Sequence, residues 1–241
     1  MSLSLKAHLS HESKMTYILG SRCRDGVVII ADTKFTTSNG PVTEQYDVDK
    51  ITGEFPGFLT AFSGTRHKFE RFRSEIREYL SNQPCQISID RMLIGMSDIM
   101  ERINLKFSEG FELLVGISGA HFADKKSVLK HFYARGGYIP VNTYKVIGSE
   151  PFGKFYLRYW NDDMTMKEVG ELGYFIIKYI QNFDLDDAVG VDEHHPVHIR
   201  FIPDNPQNGK LDYQADDQIL KEFDEKTNIR LNRLKDETFN L

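Results

Sequence analysis

The sequence predicts an α+β fold of four layers, an αββα sandwich in which two sheets pack face to face between outer helices. Three observations predict it. Strand-like apolar runs fill the first quarter of the chain, two amphipathic helical segments follow, and a second group of strands then gives way to further helices. At 241 residues, 40% of them hydrophobic, the chain can enclose one sizeable core, and its composition requires no second domain.

Taken in order, the residues from Thr16 to Cys23 read as a strand, Arg24-Asp25-Gly26 as a tight turn and Val27 to Asp32 as a nearly continuous apolar strand, which together predict a hairpin. A polar turn is expected from Thr36 to Pro41, leading into an extended segment from Val42 to Phe55. Pro56-Gly57 then punctuates before a short apolar strand, Phe58 to Phe62, so the first sheet is expected to be laid down early. Ser63-Gly64-Thr65 opens a helix on which Phe69, Phe72, Ile76 and Leu80 recur at helical spacing. After Ser88, a candidate N-cap, Met92, Met96, Ile99 and Ile103 form the stripe of a second helix that pairs with the first.

Runs from Phe111 to Ser118, Val128 to Arg135 and Thr143 to Ile147 predict a second, mostly antiparallel sheet. Thr165 and Glu168 form a capping box ahead of Val169, Leu172, Ile176 and Ile180, which places a third helix before a final strand at Val197 to Ile202. Beyond Pro203 the chain turns polar, and Ala215 to Leu234 reads as a charged helix whose thin apolar stripe is expected to dock on the surface or on a neighbour.

Charge and cysteine content narrow the function classes. The net charge of −5 supplies no basic field for a phosphate backbone, so nucleic acid is not an expected partner. No run of about 18 apolar residues occurs and the N-terminus lacks the apolar stretch of a secretory signal, so no membrane association and a cytoplasmic location are expected. Cys23 and Cys85 stand far apart without metal-ligand spacing and read as buried small hydrophobes in a reducing compartment.

The chemistry centres on Thr16. A threonine hydroxyl needs a base to act as a nucleophile at neutral pH, and a free N-terminal amine, with a pKa of about 8, is suited to that task. Thr16 directly follows Met15, so a start at Met15 with removal of the methionine would put hydroxyl and amine on one residue. Asp32 ends the strand that pairs with the Thr16 strand and Lys50 lies on the next extended segment, so both are expected to approach Thr16 across one sheet.

The run TYILGSRCRDGVVIIADTKFT, followed by DVDKI and AFSG, resembles the opening of proteasome β subunits, which are N-terminal nucleophile (Ntn) hydrolases. That resemblance spans roughly residues 16 to 205 and implies an extension or propeptide over 1–15, the β-type domain over 16–205 and a polar tail with a helix over 206–241. It implies that Thr16 is the catalytic threonine, Asp32 and Lys50 its activating pair, and Gly64 the glycine whose amide serves the oxyanion. Ser149 in VIGSE matches the serine beside the active amine, Asp186 in DLDDAVG the aspartate of a D-x-x-S-G motif, and Lys34 and Thr36 positions along the substrate cleft. No cofactor and no metal are implied. The expected activity is threonine endopeptidase action on peptides or unfolded protein, inside a homo-oligomeric ring or one that includes other subunits.

Three departures from the family pattern stand out. Lys50 lies two residues further from Thr16 than is usual, Val189 replaces the serine of D-x-x-S-G, and Met15 rather than glycine precedes Thr16. They keep open a non-catalytic ring subunit, and the acyl-enzyme chemistry by itself also admits a transpeptidase. Two other motifs lead nowhere. Gly148 to Lys154 fits seven positions of a phosphate loop but continues with Phe155 and contains Pro151, and the His-rich stretch from Asp192 to His198 reads as a polar loop entering the last strand. The aromatic run from Phe152 to Trp160 reads as core packing on a helix.

Overall fold

The computed structural model describes residues 16–39, 42–47, 49–64, 66–83, 87–106, 111–148, 157–183, 185, 189, 191, 197–206 and 209–239, with the backbone alone for 34–39, 42–47, 54, 66 and 237–239. Among the described residues, twelve strands and four α-helices run in the order β1 (Tyr17–Cys23), β2 (Gly26–Ala31), β3 (Lys34–Asn39), β4 (Val42–Asp47), β5 (Ile51–Phe55), β6 (Phe58–Ser63), α1 (Arg66–Ser81), α2 (Ile89–Lys106) and β7 (Glu112–Ile117). They continue through β8 (Val128–Phe132), β9 (Tyr138–Pro140), β10 (Tyr144–Gly148), α3 (Met166–Asn182), β11 (His198–Pro203), β12 (Tyr213–Gln214) and α4 (Asp217–Phe239).

One sheet has the order β10-β1-β2-β11-β12 and the other β5-β6-β7-β8-β9, with β3 and β4 forming a separate hairpin; every pairing is antiparallel. Between the sheets lies a core of aliphatic residues that includes Ile18, Val27, Ile29, Leu59, Ala61, Leu114, Leu129 and Ile202. α1 and α2 cover the outer face of the second sheet, where Phe62 of β6 stacks on Phe69 of α1 with ring centroids 3.9 Å apart. α3 buries Val169, Phe175, Ile176 and Ile180 on the outer face of the first sheet. The capping box forms: the Thr165 amide donates to Glu168 Oε2 at 2.7 Å, and the Glu168 amide donates to Thr165 Oγ1 at 3.3 Å. α4 packs on α3 through the buried Phe223 and Leu231, and the Tyr174 hydroxyl donates to Asp224 Oδ1 at 2.9 Å. The thin apolar stripe of α4 therefore docks on its own chain, and the four layers are an αββα sandwich.

Several expectations change. Thr36 to Asn39 are not a turn: they complete β3, which pairs with β4 in register Lys34 to Asp47, and the β-branched Thr36, Thr37, Val42 and Thr43 suit an extended hairpin. The segment Val42 to Phe55 divides into β4 and β5, which lie in different sheets, so β5 and β6 belong to the second sheet rather than the first. The Thr143 to Ile147 strand joins the first sheet as β10, pairing Tyr17 with Gly148 and Leu19 with Val146. Its Val146 is buried under α3 and its Ile147 between the sheets. Two short strands, β9 and β12, carry too few residues to show a period in sequence.

Candidate active site

β1 begins directly after Thr16, and the antiparallel partner β2 ends directly before Asp32, so the sheet register brings the two residues to the same end of the molecule. The Asp32 amide donates to the Tyr17 carbonyl at 3.1 Å, and the Tyr17 amide donates to Asp32 Oδ1 at 2.8 Å. The same Oδ1 accepts a 2.8 Å bond from Lys50 Nζ. Thr16, Asp32 and Lys50 are all buried, with relative exposures of 4%, 0% and 0%.

Lys50 does not reach this point across one sheet. It precedes β5 of the second sheet, whereas Asp32 follows β2 of the first, so the pair ties the two sheets together at one end of their interface. The β3–β4 hairpin lies between Asp32 and Lys50 in sequence. Burial is the dominant influence on Lys50 and holds its ammonium below the usual lysine range, while the charge and hydrogen bond of Asp32 pull it upward. A buried ammonium beside a strand-end threonine is an electrostatic device: it favours an anionic oxygen near it and disfavours a second cation.

Gly64 follows β6 with φ of +129°, a conformation open to glycine, and is half-buried where the chain turns toward α1. Sequence reasoning gave Gly148 no role in the site. It has φ of +90°, and a Cβ there would stand 1.8 Å from the Thr16 carbonyl oxygen, so only glycine lets β10 close against Thr16. The signal available in sequence was a glycine at the end of a strand, which alone does not distinguish a site from a turn.

Lys34 and Thr36 lie on the backbone of β3, opposite Asp47 and Gln45. Ser149 and Asp186 fall outside the described residues, as do Cys85 and most of both the phosphate-loop-like and His-rich stretches. Val189 is 2% exposed and packs in the apolar core under α3, so no hydroxyl is present at that position. His198 pairs with Asp49 at 3.1 Å. Burial works to raise the Asp49 pKa, but the His198 hydrogen bond and charge, with the Ile51 amide, more than offset it and leave it lowered. Among the described residues no group of three potential metal ligands exists, and no helix is long and apolar enough to cross a membrane. Cys23 is buried, and burial first of all pushes its thiol up to about 12, which makes it unreactive at neutral pH. Trp160 packs edge-on against Tyr144 and donates from Nε1 to Ser21 Oγ at 2.8 Å.

With this geometry in view, the family described as Proteasome subunit matches residues 13–192, well over half of the chain. The chain belongs to the proteasome subunit family. Among solved structures, the proteasome-family fold is shared with Anbu, described as an ancestral beta-subunit, from Yersinia bercovieri. That structure is 16% identical with a TM-score of 0.73, over 94% of this chain and 98% of the other. A mutant of Anbu from Hyphomicrobium sp. strain MC1 is 19% identical with a TM-score of 0.70, over 94% of this chain and 97% of the other. At such identities the likeness concerns the fold, which is that of the Ntn hydrolases. No curated protein matches the sequence.

Proposed function

We propose that this proteasome-family chain is a threonine endopeptidase subunit in which Thr16, once it is the N-terminal residue, attacks peptide bonds. The observation that carries the reading is the bifurcated Asp32 carboxylate, whose Oδ1 holds both the amide next to Thr16 and the buried Lys50 ammonium at 2.8 Å. This arrangement ties the backbone next to the nucleophile to a buried positive charge, which would favour an alkoxide on Thr16. The Thr16 hydroxyl adds to the substrate carbonyl and its proton passes to the Thr16 amine. The Gly64 amide N–H stabilises the oxyanion. The tetrahedral adduct collapses with the amine returning the proton to the leaving nitrogen, and water then hydrolyses the acyl ester. Peptides or unfolded segments are the substrates, and a cytoplasmic homo-oligomeric ring enclosing the sites is the assembly that fits this chemistry.

The experiment compares the chain expressed from residue 1 with one processed to begin at Thr16, reading intact mass and N-terminal sequence and then labelling with a peptide epoxyketone. Formation of a morpholine adduct on a free Thr16 supports the reading, since that adduct needs both hydroxyl and amine. A chain that begins at Thr16 and takes no label overturns it. A second reading, a non-catalytic subunit of the same kind of assembly, is favoured by the buried apolar Val189 in place of a hydroxyl.

A further inference from the structure

Side chains alternate across a strand, so residues two apart share a face. Ile18 of β1 and Leu59 and Ala61 of β6 all line the core between the sheets. Thr16 lies two residues before Ile18, and Ser63 lies two residues after Ala61. The two hydroxyls therefore project from facing sheets into the same end of the inter-sheet space, where β1 and β6 touch. The absent side chain of Gly148 fixes their neighbourhood further. A Cβ on Gly148 would stand 1.8 Å from the Thr16 carbonyl oxygen and 3.1 Å from Ser63 Oγ, so these two oxygens are separated by no more than the sum of those distances, about 4.9 Å.

Ser63 is 3% exposed, and among the described residues its Oγ has no hydrogen-bond partner. A buried hydroxyl without a partner is a net cost to the folded state and is uncommon without a functional reason. Its placement supplies one. The bound keeps Ser63 Oγ within about 4.9 Å of the Thr16 carbonyl, so a water bonded to the hydroxyl at about 2.8 Å lies beside Thr16. The Gly64 amide can only donate, whereas the Ser63 hydroxyl can accept one proton of a water and leave the other free for the Thr16 amine.

Building on the threonine-hydrolase reading above, we propose that Ser63 is a positioning residue for deacylation, accepting a hydrogen bond from the water that releases the acyl group from Thr16. In that step the water oxygen forms a bond to the acyl carbon and one water proton passes to the Thr16 amine. The bond from the acyl carbon to Thr16 Oγ1 then breaks as Oγ1 recovers that proton, and a carboxylic acid leaves. Ser63 itself gains and loses nothing. Acylation proceeds without this water, so the residue acts on the second half of the reaction alone.

The test uses Ser63→Ala and Ser63→Thr in the full chain processed to begin at Thr16, with a chromogenic peptide ester or amide and a peptide epoxyketone. For Ser63→Ala the expected result is a raised Tm, because the unpartnered hydroxyl is gone. Epoxyketone labelling and the acylation burst should stay within about twofold of wild type. Steady-state turnover should fall about tenfold, the scale of one lost hydrogen bond to a reacting group. Acyl-enzyme should accumulate in the intact mass, and Ser63→Thr should restore turnover. Labelled protein whose Ser63→Ala turnover is unchanged, or whose burst and turnover fall together, overturns the role of Ser63 and leaves the nucleophile intact. Wild-type protein that begins at Thr16 and takes no label overturns the nucleophile and this role with it.

Discussion

At the scale of single residues, the carboxylate of Asp32 is the group on which most depends. It neutralises Lys50, which has relative exposure of 0%, and it accepts the amide that follows Thr16. Removing one member of a buried pair leaves the other charged without its counterion, so Asp32→Asn should lower unfolding stability by about 3–5 kcal/mol in denaturant titration. Epoxyketone labelling of Thr16 should be lost in the fraction that remains folded. Lys50 makes a separate, signed prediction. Its folded pKa lies below that of the unfolded chain, burial being the cause, so across the window between the two values the unfolded chain holds more protons. Stability contributed by this site therefore rises as pH increases through that window, and the cost of the buried ammonium is present in full below it. The difference in unfolding free energy between wild type and the Asp32→Asn/Lys50→Met double variant should move in favour of wild type from pH 7 to pH 10; a difference that stays flat contradicts the depressed pKa. The approach of Asp32 and Lys50 to the start of β1 was legible in sequence from the order of the strands, whereas the role of Gly64 came from the family resemblance alone. Gly148 and Ser63 were not legible, because a positive φ against the Thr16 carbonyl and a buried hydroxyl are created by β10 and β6 arriving from elsewhere in the chain.

At the scale of elements, the strands were recognisable and their partners were not. β2, β6 and β7 are buried on both faces, so their sequences are nearly continuous apolar runs that carry no alternation to say which sheet they belong to. β6 was therefore assigned to the wrong sheet although its existence was expected, and β5 and β10 were misassigned because sheet membership depends on partners distant in sequence. The helices carry their own punctuation, and the Thr165–Glu168 box of α3 forms as its spacing requires. Thr165→Ala should reduce stability by about 1 kcal/mol in denaturant titration, the usual worth of an N-cap side chain. Gly148→Ala tests the junction of β10 with β1. The added methyl meets the Thr16 carbonyl at 1.8 Å in a strained backbone region, so the strand end must move away from Thr16. A loss of about 1–3 kcal/mol together with a slower epoxyketone reaction is the expected outcome, and a fast reaction would separate β10 from the nucleophile's geometry.

For the whole molecule, the two outer layers are unequal. The pair α1 and α2 joins through a broad apolar seam, with Met92, Met96, Ile99 and Ile103 under the helices. α4 reaches the opposite side with fewer apolar anchors, Phe223 at 0% and Leu231 at 3% exposure, and with ion pairs from Lys226 and Arg230 to Glu171 at 2.7 and 2.8 Å along its rim. Surface ion pairs of this kind contribute little each, so the anchors hold the layer in place. Burying each of those two side chains contributes roughly 1.5–3 kcal/mol, and Phe223→Ala, which also leaves a cavity beside Tyr174, should cost about 3–5 kcal/mol. A chain ended after Gln214 loses both anchors at once and uncovers the buried side of α3, including Tyr174. It should bind a hydrophobic dye in native buffer and melt with a broadened transition, while the Asp32–Lys50 pair, held by β2 and β5 on the far side of the first sheet, should still support epoxyketone labelling of Thr16 in protein that stays soluble. Labelling lost in soluble truncated protein would mean that α4 supports the site through the first sheet, which would make the fourth layer part of the nucleophile's scaffold rather than a cover for its core.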